Sequence, residues 1–489
     1  MHRAASTLLA ISLTGCGERP AEGPATPNIV LISMDTLRAD HLGAYGDTRG
    51  LTPNLDAFAQ RAVVFERAWS QSNATTPSHA SMFAGRYPSE LGVTAIDKKP
   101  RTDLPVLPEI LGVYGYHTGS AVAGLQISTA YGLERGFDWH SAPQQVGSFY
   151  HTAPAALAWL DSLQDDAPFF LFLHGYDVHD RYLKPGPWGQ AWMDPDYSGP
   201  ATDIVRSPLG VLQLADGWLF APAKTPVWGL HGRPRVWDAR FRTTIDRWID
   251  AHPNEARPFE DRDLAQIRGA YAGAVCWMDA MLGSFFDQLD QRGLLDDSLV
   301  VLVSDHGEML GEHGYVNHSI GMYDEELRVP LIVHFPADEH AGRRVGSQVA
   351  LLDVLPTLLQ VVGAPPPAGI HGLALQDLLA APEPRERLIF SEGVHNIMSV
   401  RSSEHRLTFS GIELRAPWLV PVLSTADLDG PAFDEASTSD PTARAELRRA
   451  LVSWRQDLVL DNVDTPTIDQ AARDQLQREG YWVPPETAP

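Results

Sequence analysis

The sequence predicts an α/β protein: a large, doubly wound, mainly parallel sheet, followed by a small C-terminal α+β unit. Three observations support this. Four short runs are continuously apolar rather than alternating, as in strands buried on both faces. Between them lie stretches with the 3.6-residue period of amphipathic helices. Strands alternating with helices in this way form a parallel sheet covered on both sides.

Taken in order, Ile29 to Met34 (IVLISM) reads as the first buried parallel strand. Phe169 to Leu173 (FFLFL), Leu299 to Val303 (LVVLV) and Leu331 to Phe335 (LIVHF) read the same way. Pro154 to Leu163, Asp263 to Leu289 and Asp353 to Val362 carry the helical period. After about Leu388 the character changes. Leu388 to Phe390, Met398 to Val400 and Leu407 to Phe409 are closely spaced short strands. Pro441 to Leu458 reads as one amphipathic helix, with Asp440 as its cap and Pro441 at its first position. One stretch, Gly186 to Ile249, resists the scheme. It is rich in Pro and Gly and holds Trp188, Trp192, Trp218, Trp228, Trp237 and Trp248. It reads either as an insertion that buries its own aromatics or as a wall of the active site, stacking on a sugar or lipid.

The chain carries 38 basic and 62 acidic side chains, a net charge of −24. Nucleic acid and anionic membrane surfaces demand clustered Lys and Arg, so both are excluded as broad partners. A small anionic ester held locally by a metal is not excluded. Two cysteines exclude a disulfide framework and any multi-Cys metal site.

The N-terminus reads as an address. Arg3 is followed by the short apolar run Ala4 to Leu13. A bilayer span needs ~20 residues, so this run is too short to cross. It ends in Leu13-Thr14-Gly15-Cys16, which resembles the lipobox of bacterial lipoproteins, where the cysteine is lipidated. The expected layout is a signal peptide over 1–15, lipidation at Cys16 and a tether over 16–26. A main domain follows over 27–380, with an insertion at 186–249, and then a C-terminal unit over 381–489. The implied place is the bacterial cell envelope, facing the periplasm or the exterior, with membrane contact through the lipid only. The second cysteine, Cys276, lies in an apolar stretch and reads as inert core.

In open α/β sheets, ligands bind beyond the carboxyl ends of the strands. After Met34 come Asp35 and Thr36; after Leu173 come His174, Asp177 and His179; after Val303 come Ser304, Asp305, His306 and Glu308. Three strands therefore deliver carboxylates and imidazoles to one edge. Two Asp with one His suit a single divalent cation: Ca, Mg or Mn, and also Zn. Thr36 reads equally as a ligand or a helix cap. The segment Ala74 to Phe83 looks like a helix start, with Thr76 as its cap and Pro77 in its first turn. A hydroxyl just before such a start faces N–H donors and the positive end of the dipole, which suits a nucleophile.

The order of motifs resembles the sulfatase family of the alkaline phosphatase superfamily. The matching segments are Pro27 to Arg38, Thr52 to Asp56, Thr75-Thr76-Pro77-Ser78-His79 with Gly85 to Pro88, and Gly132 to Asp138. They continue with Ser304 to Glu308, Gly311 to Gly314, Tyr323 to Glu325, Arg328 to Pro330 and Asp353 to Leu359. The resemblance implies an alkaline-phosphatase-type sheet and the hydrolysis of sulfuric or phosphoric esters. Asp35, Asp305 and His306 then look like metal ligands, joined by Thr75. Thr75 falls where sulfatases carry the Cys or Ser that becomes formylglycine. His179 matches a substrate-side histidine, and His318 falls near a lysine that contacts the leaving group. His79, in the place of a signature arginine, is a substrate-binding candidate. Glu308 and His313 read as structural.

The departures shift the chemistry. Thr75 should stay unmodified, Thr36 replaces a second Asp, and Leu125 stands where a lysine would follow Ala123-Gly124. This pattern resembles the Ser/Thr-type members of the family. A formylglycine hydrate frees its ester by breaking a C–O bond of the diol, and a threonine ester cannot. Thr75, His179 and His318 are thus the candidate catalytic residues of a metal-dependent hydrolase of sulfate or phosphate esters. The alternatives are a phosphotransferase, phosphodiesterase or phosphonate hydrolase on envelope lipid or glycan, and a non-catalytic binding lipoprotein.

Overall fold

A computed structural model describes residues 26–142, 147–179, 182–199, 201, 260–314, 316–319, 321–380, 386–394, 397–410, 440–458 and 466–479. The signal segment, Cys16, nearly all of the tether and most of the Trp-rich stretch lie outside the described residues.

The main sheet contains β1 (Asn28–Met34), β2 (Val63–Trp69), β3 (His117–Ala121), β4 (Trp139–Ser141), β5 (Phe169–Gly175) and β6 (Ser298–Val303). A hairpin of β7 (Met309–Leu310) and β8 (Val316–Asn317) follows, then β9 (Arg328–Val329), β10 (Leu331–His334) and β11 (Arg344–Ala350). The order across the sheet is β11-β2-β10-β6-β1-β5-β3-β4, with β9 paired to β2. β1 sits between β5 and β6 and runs parallel to both. The expected parallel strand at Leu331 is corrected: β10 runs antiparallel to both β2 and β6. A continuous apolar run reports burial on two faces, and β10 has that burial whatever its direction.

Side chains of β1 alternate between two cores. Ile29 and Leu31 join Phe170, Phe172, Leu299 and Val301 on one face, while Val30 and Ile32 join Leu171, Leu173, Val300 and Leu302 on the other. The helices are α1 (Pro53–Gln60), α2 (Thr75–Ala84), α3 (Phe149–Leu160), α4 (Asp261–Gln291), α5 (Val354–Val361) and α6 (Pro441–Asp457), with shorter turns between. Helices α2 and α5 cover the first face, and α1, α3 and α4 cover the second. Helix α3 starts at Ser148, whose side chain accepts from the Tyr150 N–H. Pro154 therefore lies inside the helix rather than opening it.

Two glycines on α4 admit the described part of the Trp-rich stretch. A Cβ at Gly269 would sit 2.2 Å from the Trp192 carbonyl oxygen, and one at Gly273 would sit 2.2 Å from that of Trp188. The backbone of this stretch lies on the helix, yet the rings of Trp188 and Trp192 are exposed rather than buried.

The C-terminal sheet is β12 (Ile389–Gly393), β13 (Ile397–Arg401) and β14 (Arg406–Ser410), all antiparallel. Asp440 caps α6 by accepting from the Thr442 N–H at 2.8 Å. This unit shares an apolar cluster with Trp69, Tyr87 and Leu352 of the main body. Among the described residues no helix is long and apolar enough to cross a membrane.

Candidate functional site

The turn after β1 is unusual. Thr36 is β-branched and has φ +55°, a conformation that costs such residues strain. Five hydrogen bonds hold it. The Thr36 N–H donates to Asp305 Oδ1 at 3.2 Å, and the Leu37 N–H donates to Ser304 Oγ at 2.9 Å. Tyr271 on α4 donates its hydroxyl to the Thr36 carbonyl at 2.8 Å and accepts from the Arg38 N–H at 3.0 Å. The Thr36 hydroxyl turns back onto the Asp35 carbonyl at 2.8 Å, so it serves this turn rather than capping a helix.

Asp35, Asp305 and His306 meet at the ends of β1 and β6, with one ligand-type atom from each within 4.8 Å of the others. All three are fully buried. Asp35 Oδ1 and Asp305 Oδ2 have no hydrogen-bond partner among the described residues. Two orphaned carboxylate oxygens in one buried cluster are costly unless a cation takes them. The His306 Nδ1–H donates to the Gly307 carbonyl at 3.0 Å, which sets Nε2 toward the cluster as a ligand requires. The donor set therefore fits one divalent cation with oxygen-rich ligation. Burial, then the Asp305 carboxylate, pushes Asp35 up to about 7. Asp305 is held down at about 2: burial opposes this, but His306, His79 and His174 outweigh it.

Thr75 is the first residue of α2, and Ala74 occupies the cap position. Thr76 is thus not the cap. Its hydroxyl donates to the Gln126 carbonyl at 2.6 Å. The cap residue, Ala74, has no side chain that could accept from the first N–H groups of the helix. Thr75 Oγ1 is 3.4 Å from Asp35 Oδ2 and 3.3 Å from His306 Nε2. The structure thereby brings the candidate nucleophile to the candidate ligands.

His79 lies beneath the nucleophile. It is fully buried, its Nδ1–H donates to the Thr75 carbonyl at 2.9 Å, and its Nε2 lies 2.9 Å from Ser33 Oγ. Both ring nitrogens are engaged one turn below the nucleophile. Burial lowers its pKa to about 4, so the ring is neutral and offers no fixed cation. Leu125 packs into the apolar core, which leaves that position without charge too.

His179 and His318 do converge on the site. The His318 ring centroid is 4.7 Å from that of His306 and 4.9 Å from that of His179. Asp177, from the same loop as His179, instead accepts from the Phe149 N–H at 2.8 Å and from the Ser148 hydroxyl, tying the loop to α3. His313 stacks on Tyr323 with centroids 3.9 Å apart. Glu308 Oε1 lies 3.1 Å from His318 Nδ1.

Two supporting residues had no assigned role in the sequence. His174 lies behind Asp35, with Nε2 3.3 Å from Oδ2, while its Nδ1–H donates to the Ala123 carbonyl at 2.9 Å. Its place at the end of an apolar strand was the available signal. Tyr271 had none, being one of many apolar positions on a long helix.

The family model described as Sulfatase matches residues 27–364. An ulvan-active sulfatase of Formosa agariphila is 27% identical over 417 residues, covering 80% of this chain and 73% of that protein. An N-acetylglucosamine-6-O-sulfatase of Bacteroides thetaiotaomicron is 24% identical over 422 residues, covering 76% of this chain and 74% of its own length. Among solved structures, the phosphonate monoester hydrolase of Agrobacterium radiobacter superimposes with a TM-score of 0.62 at 20% identity. That match covers 88% of this chain and 95% of the other.

Proposed function

The chain belongs to the sulfatase family of the alkaline phosphatase superfamily, and from that premise we propose a metal-dependent hydrolase of sulfate or phosphate esters with Thr75 as nucleophile. The observation that carries this reading is the position of Thr75 Oγ1, 3.4 Å from Asp35 and 3.3 Å from His306 at an uncapped helix start.

Asp35, Asp305, His306 and the Thr75 hydroxyl would hold one divalent cation. When bound, it supplies Lewis acidity that lowers the hydroxyl pKa and neutralises charge on the transferred group. Thr75 Oγ1 gives its proton to solvent, attacks the phosphorus or sulfur in line and breaks the bond to the leaving oxygen, its position fixed by α2. The N–H groups at the helix start stabilise a non-bridging oxygen. His318 or His179 protonates the leaving oxygen, worth roughly 10²- to 10⁴-fold. Water then attacks the same centre and releases Thr75.

This last step favours a second reading. A threonine ester offers no carbonyl hydrate through which to collapse, so the group must leave by substitution at phosphorus or sulfur. Phosphorus accepts that substitution in phosphodiesters and phosphonates, and an alcohol can replace water as acceptor. Phosphodiesterase, phosphonate hydrolase or phosphotransferase activity on envelope lipid or glycan therefore stands beside sulfate hydrolysis. A non-catalytic binding lipoprotein is disfavoured by the joint retention of nucleophile, ligands and histidines.

Sulfatases active on sulfated sugars among the relatives support a glycan-borne ester as substrate. The charge of −24 supports the absence of a nucleic-acid partner. The apolar run ending at Cys16 supports lipid anchoring in the envelope, and Cys16→Ala should abolish incorporation of labelled palmitate. The catalytic reading is tested with the soluble body and Ca²⁺, Mg²⁺, Mn²⁺ or Zn²⁺ against aryl sulfate, phosphate, phosphodiester and phosphonate. Intact-mass measurement of trapped enzyme should place the group on Thr75. An active enzyme unaffected by Thr75→Ala would refute the scheme.

A further inference from the structure

The hairpin of β7 and β8 is only two residues deep on each side, and its register pairs Met309 with Asn317. Carried one position past the ladder, that register sets Glu308 opposite His318. The two side chains meet there: Glu308 Oε1 lies 3.1 Å from His318 Nδ1, and both are buried. The backbone around His318 is constrained as well. Asn317 and Ser319 have φ of +79° and +65°, and Asn317 Oδ1 accepts from the His318 N–H at 2.7 Å. Ser319 Oγ donates to the Asn73 carbonyl at 3.0 Å, which ties the hairpin to the segment entering Thr75. A fully buried carboxylate is a poor way to stabilise a short hairpin, because its desolvation offsets the bond it makes.

We propose that Glu308 is the positioning residue of the leaving-group histidine. Its carboxylate accepts the His318 Nδ1–H, fixing the ring rotation and supporting the imidazolium, whose Nε2–H on the far edge of the ring passes to the leaving oxygen and leaves the neutral ring protonated at Nδ1. This rests on the assignment of His318 to the leaving-group side. It adds a residue that neither binds the cation nor touches substrate.

The test compares Glu308→Ala, Glu308→Gln and His318→Ala with the full-length holoenzyme, using paired 4-nitrophenyl and phenyl esters of sulfate, phosphate and methylphosphonate. The phenyl leaving group needs a proton more than 4-nitrophenyl does. Glu308→Ala should lower kcat for the phenyl ester by roughly 10- to 100-fold and leave KM and the 4-nitrophenyl rate little changed. Glu308→Gln retains an acceptor oxygen and should recover most of the loss. If His318→Ala shows the leaving-group dependence and Glu308→Ala does not, positioning by Glu308 is overturned alone. If His318→Ala lacks it, the assignment of His318 falls first. Nitrogen-15 NMR of the labelled wild-type protein, with His318→Ala to assign the ring, reads the tautomer without turnover. A ring that keeps its Nδ1 proton, as the imidazolium at low pH and as the Nδ1–H tautomer once Nε2 is deprotonated, is expected, and a neutral ring protonated at Nε2 overturns the proposal.

Discussion

Tyr271 on the long helix donates its hydroxyl proton to the carbonyl of Thr36 at 2.8 Å, across 235 residues of chain. The same hydroxyl accepts from the Arg38 N–H, so one side chain closes the left-handed turn that carries Asp35. Tyr271→Phe keeps the ring and removes both bonds. Outer partners of metal ligands are typically worth 10–100-fold in affinity, so Mn²⁺ binding by calorimetric titration should weaken by about that range. The melting temperature should fall only a few degrees. Unchanged Mn²⁺ affinity would mean the turn holds itself.

Thr75 sits where a nucleophile must, and its hydroxyl is the part that matters. Thr75→Ala should lower kcat by at least ~10³-fold without loss of fold, since the attacking atom is gone. Thr75→Ser should keep measurable turnover. Stopped assays on an active substrate, with circular dichroism as the control, decide it.

Asp35 is raised from 3.8 to about 7 by burial and by the Asp305 carboxylate. In chelated protein below that pH, a cation must displace the Asp35 proton. Divalent-cation affinity should therefore rise with pH to about 7 and flatten above. The stability contribution runs the other way. Between 3.8 and about 7 the native chelated state holds a proton that the unfolded chain has lost. This group therefore favours folding at low pH, and that contribution declines as pH rises through about 7. Thermal melts of chelated and metal-loaded protein across this range should show a widening gap. A constant gap would count against the shift.

His79 supports the site from below. His79→Ala removes two buried hydrogen bonds and opens a cavity, which should cost about 2–4 kcal/mol in urea unfolding. The fraction that remains folded and loaded should keep its KM. A raised KM with unchanged stability would restore His79 to the substrate.

Much of this molecule is determined by local sequence. The apolar runs of β1, β5 and β6 identify buried strands, because two-sided burial demands apolar residues at consecutive positions. The rule that ligands bind beyond the carboxyl ends of such strands then identifies Asp35, His179, Asp305 and His306 as one group, since parallel strands end on the same side. Only the tertiary structure decided the rest. The direction of β10 depends on its neighbours, and apolarity is blind to direction. His79 has Ser33 and the Thr75 carbonyl at its two nitrogens, one of them from a strand 46 residues away. Tyr271 reaches the site through a helix packing, and Glu308 through its contact with His318 ten residues on. Hydrogen bonds formed by residues far apart leave no periodic trace in the chain, because their geometry exists only once the sheet and its helices have closed around the site.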